Sequence, residues 1–193
     1  LEAIRLFLFL PNTAFVVAAD EDMIRHAVSQ HFHDSDERLV TDYLDKLIQV
    51  PVYVPRPGIL EIRAYLTMLN AVRSGCAEDK IAALRDFLIE DLRHSWEDGD
   101  GYDVDKVMGL LGSAEPGLRN QIELGLRMAP TLAQSAKVNG NPRIVKRMMN
   151  VVRMRASVAK RRVMNLDETV IAKLALFERC TDSKSIQALQ HEI

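Results

Sequence analysis

The residues best placed to do chemistry lie in Asn139-Gly-Asn-Pro-Arg-Ile-Val-Lys-Arg-Met-Met-Asn150. Gly140 and Asn141 read as a turn and a helix cap. Pro142 suits a first helical position, where its missing N–H costs nothing. Ile144, Val145, Met148, Met149 and Val152 recur at helical spacing and predict a buried face. Arg143, Lys146 and Arg147 fall on or beside the other face, within the first turn or two. A helix that opens on a positioned arginine presents a guanidinium to something anionic. The candidates are a nucleotide, a nucleic acid and a neighbouring carboxylate.

Other constellations are thin. The sequence contains no Gly-rich phosphate cradle ending in Lys-Ser or Lys-Thr, no dinucleotide fingerprint, no zinc-type Cys/His spacing and no nucleophile elbow. His31 and His33 flank Phe32 without further ligands nearby, which reads as exposed loop histidines rather than a metal pair. The 193 residues suffice for one sizeable core or two small packed units. A formal net charge of -2 exerts no global pull toward nucleic acid or acidic lipid. Two cysteines, Cys76 and Cys180, argue against a disulfide framework and fit a reducing compartment. Residues 1–10 begin with Leu1, are too short to span a bilayer and lack the basic start and cleavage site of a secretory leader. They read as the continuation of a missing N-terminal part.

The elements that must position these residues divide the chain. Residues 1–10 are nearly all apolar and predict a buried helix ending before Pro11. Residues 14–19, Ala-Phe-Val-Val-Ala-Ala, predict a buried strand of a parallel sheet, ended by Asp20. Glu21 and Asp22 open a helix through Phe32, a polar loop follows to Asp36, and a second helix carries Leu39, Val40, Tyr43, Leu44, Leu47 and Ile48. Val50, Val52 and Val54 alternate with Pro51 and Tyr53, which predicts an edge or terminal strand parallel to the first. From Ile59 onward the pattern is helical: residues 59–72, 78–96 and 104–111, a helix starting at Pro116 and interrupted at Pro130, the Asn141-Pro-Arg helix, and a last clear helix capped by Asp167. Residues 78–105 are rich in acids, while residues 141–162 carry only bases among their charges. The two runs could neutralise one another in space.

This order, together with three stretches, resembles the KAP family of P-loop NTPases. The stretches are Leu1-Glu-Ala-Ile-Arg-Leu-Phe-Leu with Pro11-Asn-Thr-Ala-Phe-Val-Val-Ala-Ala-Asp20; Tyr43-Leu-Asp-Lys-Leu-Ile-Gln-Val-Pro-Val-Tyr-Val-Pro55; and Asn141-Pro-Arg-Ile-Val-Lys-Arg-Met-Met-Asn150. The likeness covers most of the chain and is weakest across residues 73–137. It implies a mainly α fold with a small α/β part. Residues 1–57 would be the C-terminal part of the NTPase core, with a two-strand remnant of its parallel sheet, and residues 58–193 a helical lid bundle. The Walker A lysine and hydroxyl and the Walker B acids are absent from the sequence, so the resemblance implies a C-terminal fragment that is inactive alone.

The resemblance further implies that the full-length protein binds ATP with Mg2+ and hydrolyses its β–γ bond. A cytoplasmic protein is expected, bacterial in its family setting, with a peripheral place at the membrane and homo-oligomerisation both open. Asp20 matches a sensor-1-like position facing the attacking water or the γ-phosphate; as a plain residue it caps the next helix. Arg143 matches a sensor-2-like arginine reaching the γ-phosphate from the lid, with Arg147 one turn on as the alternative; as a plain residue it pairs with the acids of residues 78–105. Lys46 lies where related oligomers offer a cationic finger to a neighbouring subunit, or simply stabilises a helix C-terminus. The competing reading is a non-enzymatic helical module that binds nucleic acid or an acidic partner through the basic helix. No aromatic residue is interleaved there for base stacking.

Overall fold

A computed structural model describes residues 12–31, 37–95, 101–112 and 117–192. The chain divides into two units, Leu1–Val54 and Pro55–Ile193. In the first, α1 (Glu21–His31) and α2 (Glu37–Leu47) pair through Val28, Val40 and Leu44, with Ile24 and Tyr43 packed alongside. Glu21 and Asp22 in the first turn of α1 complement the positive end of its dipole.

The expected two-strand remnant of a parallel sheet is not formed: no strand occurs among the described residues. Residues 13–20 and 51–58 run without regular structure, and their valines lie in the open. Val16 is 100 % exposed, Val52 81 % and Val54 88 %. A β-branched run favours an extended backbone, but a strand exists only when a neighbour takes its N–H and C=O groups. Among the described residues neither segment is paired as a strand. The helix expected over residues 1–10 and most of the loop around His33 lie outside the described residues.

The second unit is a helical bundle: α3 (Ile59–Arg73), α4 (Glu78–Arg93), α5 (Val104–Leu111), α6 (Leu118–Gln134), α7 (Pro142–Arg161), α8 (Glu168–Cys180) and α9 (Ser183–Glu192). Its spine is the α3–α6 pair, which feeds two apolar clusters. Ile62 and Leu66 of α3 join Leu124, Met128 and Leu132 of α6 in a cluster with α7 and α8. Ala64 and Ala71 join Leu118 and Ile122 in a second, with α4 and α5. The spine is close-packed because α6 has no side chain at Gly125, where a Cβ would come within 3.2 Å of Leu66 Cβ. One buried amide ties three helices: Asn70 Nδ2 donates to the Gln121 carbonyl at 3.0 Å, and Asn70 Oδ1 accepts from Arg153.

Two features of α6 and one further helix differ from expectation. Pro130 does not interrupt α6, which runs on to Gln134 because Met128, Ala129 and Leu132 bury around it. That helix starts at Leu118, after Gly117 in a left-handed conformation. A further helix, α9, follows Asp182, whose carboxylate caps it through the Lys184 and Ser185 N–H groups at 2.9 and 3.0 Å. Among the described residues no helix is long and apolar enough to cross a membrane.

Candidate functional site

The start of α7 is built as its sequence predicts. Asn141 Oδ1 accepts from the N–H groups of Arg143 (3.0 Å) and Ile144 (3.4 Å), and Pro142 takes the first helical position. Val145, Met148, Met149 and Val152 are buried and Ile144 is half-buried. That face fixes the rotation of the helix, and Arg143, Lys146 and Arg147 consequently lie exposed on the other side. Arg143 and Arg147 are one turn apart, about 6 Å between Cβ atoms.

The electrostatics of this helix start oppose its own stability. The α7 first turn holds no acid, like those of α6 and α9, whereas α1, α3, α4, α5 and α8 each have at least one there. Positive side chains at the positive end of the dipole, and like charges at i and i+4, each cost a few tenths of a kcal/mol. The alternative in which Arg143 pairs with the acidic residues 78–105 is not seen among the described residues. The ion pairs there go elsewhere: Asp86 with Arg85, Glu90 with Arg93 and His94, and Asp105 with Arg119. On the basic side, Arg155 pairs with Glu178 at 2.8 Å. The two charged runs therefore do not neutralise one another through these contacts.

The other candidates belong to the first unit. Asp20 is exposed, and its Oδ1 accepts from the Asp22 and Met23 N–H groups at 3.0 and 3.3 Å. It caps α1, leaving Oδ2 outside the cap. Lys46 is exposed in the last turn of α2, where a cation suits the negative dipole end. Only Arg143 and Arg147 share an element; Asp20 and Lys46 lie at separate helix ends.

Sequence reasoning did not anticipate what holds the α7 start in place. Gly140 is buried with φ +65°, and the Tyr65 hydroxyl donates to the Pro142 carbonyl at 3.3 Å. The Asn-Gly pair signalled a turn, but nothing in the sequence around Tyr65 or Pro57 signals that they meet it. Among the described residues no group of His, Cys, Asp or Glu could hold a metal ion.

The family model of the KAP family P-loop domain matches residues 1–159. No curated protein and no solved structure matches the chain.

Proposed function

The chain belongs to the KAP family of P-loop NTPases, and from that premise we propose that it serves ATP binding and hydrolysis, with Arg143 as the γ-phosphate-sensing arginine. The observation that carries this reading is the base-loaded, well-capped start of α7. The Arg143 guanidinium sits in the first turn, where the helix dipole adds to its charge. A polyphosphate converts that unfavourable cluster into a favourable one.

In this reading the Arg143 guanidinium meets the γ-phosphate oxygens and stabilises charge that moves during transfer. Arg147, one turn on, adds to the field and holds the nucleotide. Asp20 keeps Oδ1 on the α1 cap and uses Oδ2 to orient water. Lys46 is the candidate for a contact with a neighbouring subunit. The sequence holds no Walker A lysine, so the phosphate-cradling half of the site is contributed by residues other than these 193. Among the described residues no group of His, Cys, Asp or Glu could hold Mg2+.

The test is ATP turnover by the intact protein. Arg143→Ala lowers kcat by about 10²-fold while ATP binding changes far less, as expected for an interaction made in the transition state. Arg147→Ala raises KM more than it lowers kcat. Unchanged kcat in Arg143→Ala removes the sensor assignment.

A further inference from the structure

We infer that Gly140 is a positioning residue for Arg143, acting through a seat on the backbone of Pro57; this rests on the nucleotide-facing reading of Arg143. The turn between α6 and α7 is closed by its own main chain. The Ser135 carbonyl accepts from the Val138 and Asn139 N–H groups at 3.1 and 2.6 Å. The Leu132 carbonyl accepts from Gly140 N–H at 3.0 Å, and the Val138 carbonyl from Asn141 N–H at 3.0 Å. Two successive residues, Asn139 and Gly140, take left-handed conformations at φ 53° and 65°. Val138 plugs the turn into the core at 1 % exposure.

Onto this turn packs the chain that leads into α3. A Cβ on Gly140 would stand 2.4 Å from the Pro57 carbonyl oxygen and 3.7 Å from Pro57 Cβ. The nearest obstacle is backbone, which cannot rotate away as a side-chain tip can. From α3 itself, Tyr65 reaches the Pro142 carbonyl. The start of α7 is thus gripped by the α6 turn, the connection before α3 and the second turn of α3. Arg143 is three residues beyond the point of closest contact.

Restoring ordinary contact at Gly140 means opening the seat by roughly 1 Å, from 2.4 Å to beyond 3.4 Å, a displacement of the size that costs a positioned group about 10²-fold in rate. The hydroxyl of Tyr65 makes the smaller, exposed contribution.

The experiment is a double-mutant cycle on ATP turnover by the intact protein, with thermal unfolding measured alongside. Gly140→Ala lowers kcat by about 10²-fold, and Tyr65→Phe lowers it a few-fold at unchanged Tm. In an Arg143→Ala background neither substitution has a further effect, because the group they position is gone. A structural role alone lowers Tm and leaves kcat per folded molecule intact, which overturns the inference, as do losses that multiply with that of Arg143→Ala. If Gly140→Ala does not fold, Tyr65→Phe decides by the same criterion. If Arg143→Ala itself leaves kcat unchanged, the sensor reading fails and the inference falls with it. If Arg143→Ala is crippled while Gly140→Ala and Tyr65→Phe turn over normally, only the inference fails.

Discussion

Val163 occupies the position after α7 where many helices place a glycine. Its φ is +56°, its N–H donates to the Lys160 carbonyl at 3.2 Å, and the Met164 N–H donates to the Ala159 carbonyl at 2.9 Å. Those two bonds make a Schellman motif with a β-branched residue in the left-handed site. The backbone conformation costs an L-residue roughly 1–2 kcal/mol, and the side chain, 91 % exposed, recovers little by packing. Val163→Gly therefore stabilises the second unit by about 1 kcal/mol after the added entropy of the unfolded glycine, measured as a rise in urea midpoint. Tyr102 is a second residue out of the ordinary. Burial pushes its phenol from 10.0 up to about 12, against a smaller downward pull from its hydrogen bond to Thr67. In that interval the unfolded chain gives up a proton that the folded chain keeps. This contribution is whole below pH 10 and is lost as pH rises toward 12. Urea unfolding across that range shows falling stability. In Tyr102→Phe the slope flattens, while about 1 kcal/mol is lost at neutral pH because the fully buried Thr67 hydroxyl loses its 2.6 Å partner.

At the scale of elements, the α3–α6 spine depends on the missing side chain at Gly125. Gly125→Val places new atoms against Leu66 and the Asn70 amide, 3.2 and 3.6 Å from the would-be Cβ. The helices must separate or Asn70 must lose its partners. The expected cost is about 2–3 kcal/mol, read by denaturant unfolding with an unchanged m-value. The elements also separate what the amino-acid order carries from what it does not. The start of α7 was legible because every instruction is local: Asn141 caps, Pro142 begins, and the apolar period picks the buried face. Val104–Leu111 and the Asp167 cap were legible for the same reason. The runs at 14–19 and 50–54 were not, because β-propensity describes a side chain's preference and not the presence of a pairing neighbour. Pro130 misled because a proline's lost hydrogen bond is local, whereas the burial that outweighs it comes from α3 and α8. Asp182 and α9 were missed although Asp-Ser-Lys-Ser is a capping sequence, since the helix behind it is short and polar.

For the molecule as a whole, the division at Val54 and Pro55 leaves the first unit a small described core of Val28, Val40 and Leu44. The second unit holds both larger clusters. Residues 55–193 alone should then unfold cooperatively within about 4 °C of the intact chain, equivalent to less than roughly 1 kcal/mol, as followed by helical circular dichroism. A larger drop would mean that the first unit contributes to the bundle's stability. The candidate site was legible only in part at this scale. Arg143 is marked by its own cap, but its seat on Pro57 joins residues far apart in the chain, and no local pattern encodes such a meeting.

The ion pairs of the bundle have one further consequence. Among the described residues, the ion pairs made by Asp86, Glu90, Asp105 and Arg155 do not join residues 78–105 to residues 141–162, so the whole chain's net charge of -2 conceals opposite charges collected on different helices. The bundle therefore carries a strongly basic α7 and an acidic α4 rather than an even mixture of charges. Close to the whole chain's isoelectric point of 6.2, copies of the chain attract through such unlike segments in dilute buffer, and added electrolyte screens that attraction within about 10 Å at 0.1 M. Its solubility should accordingly rise with the first additions of salt.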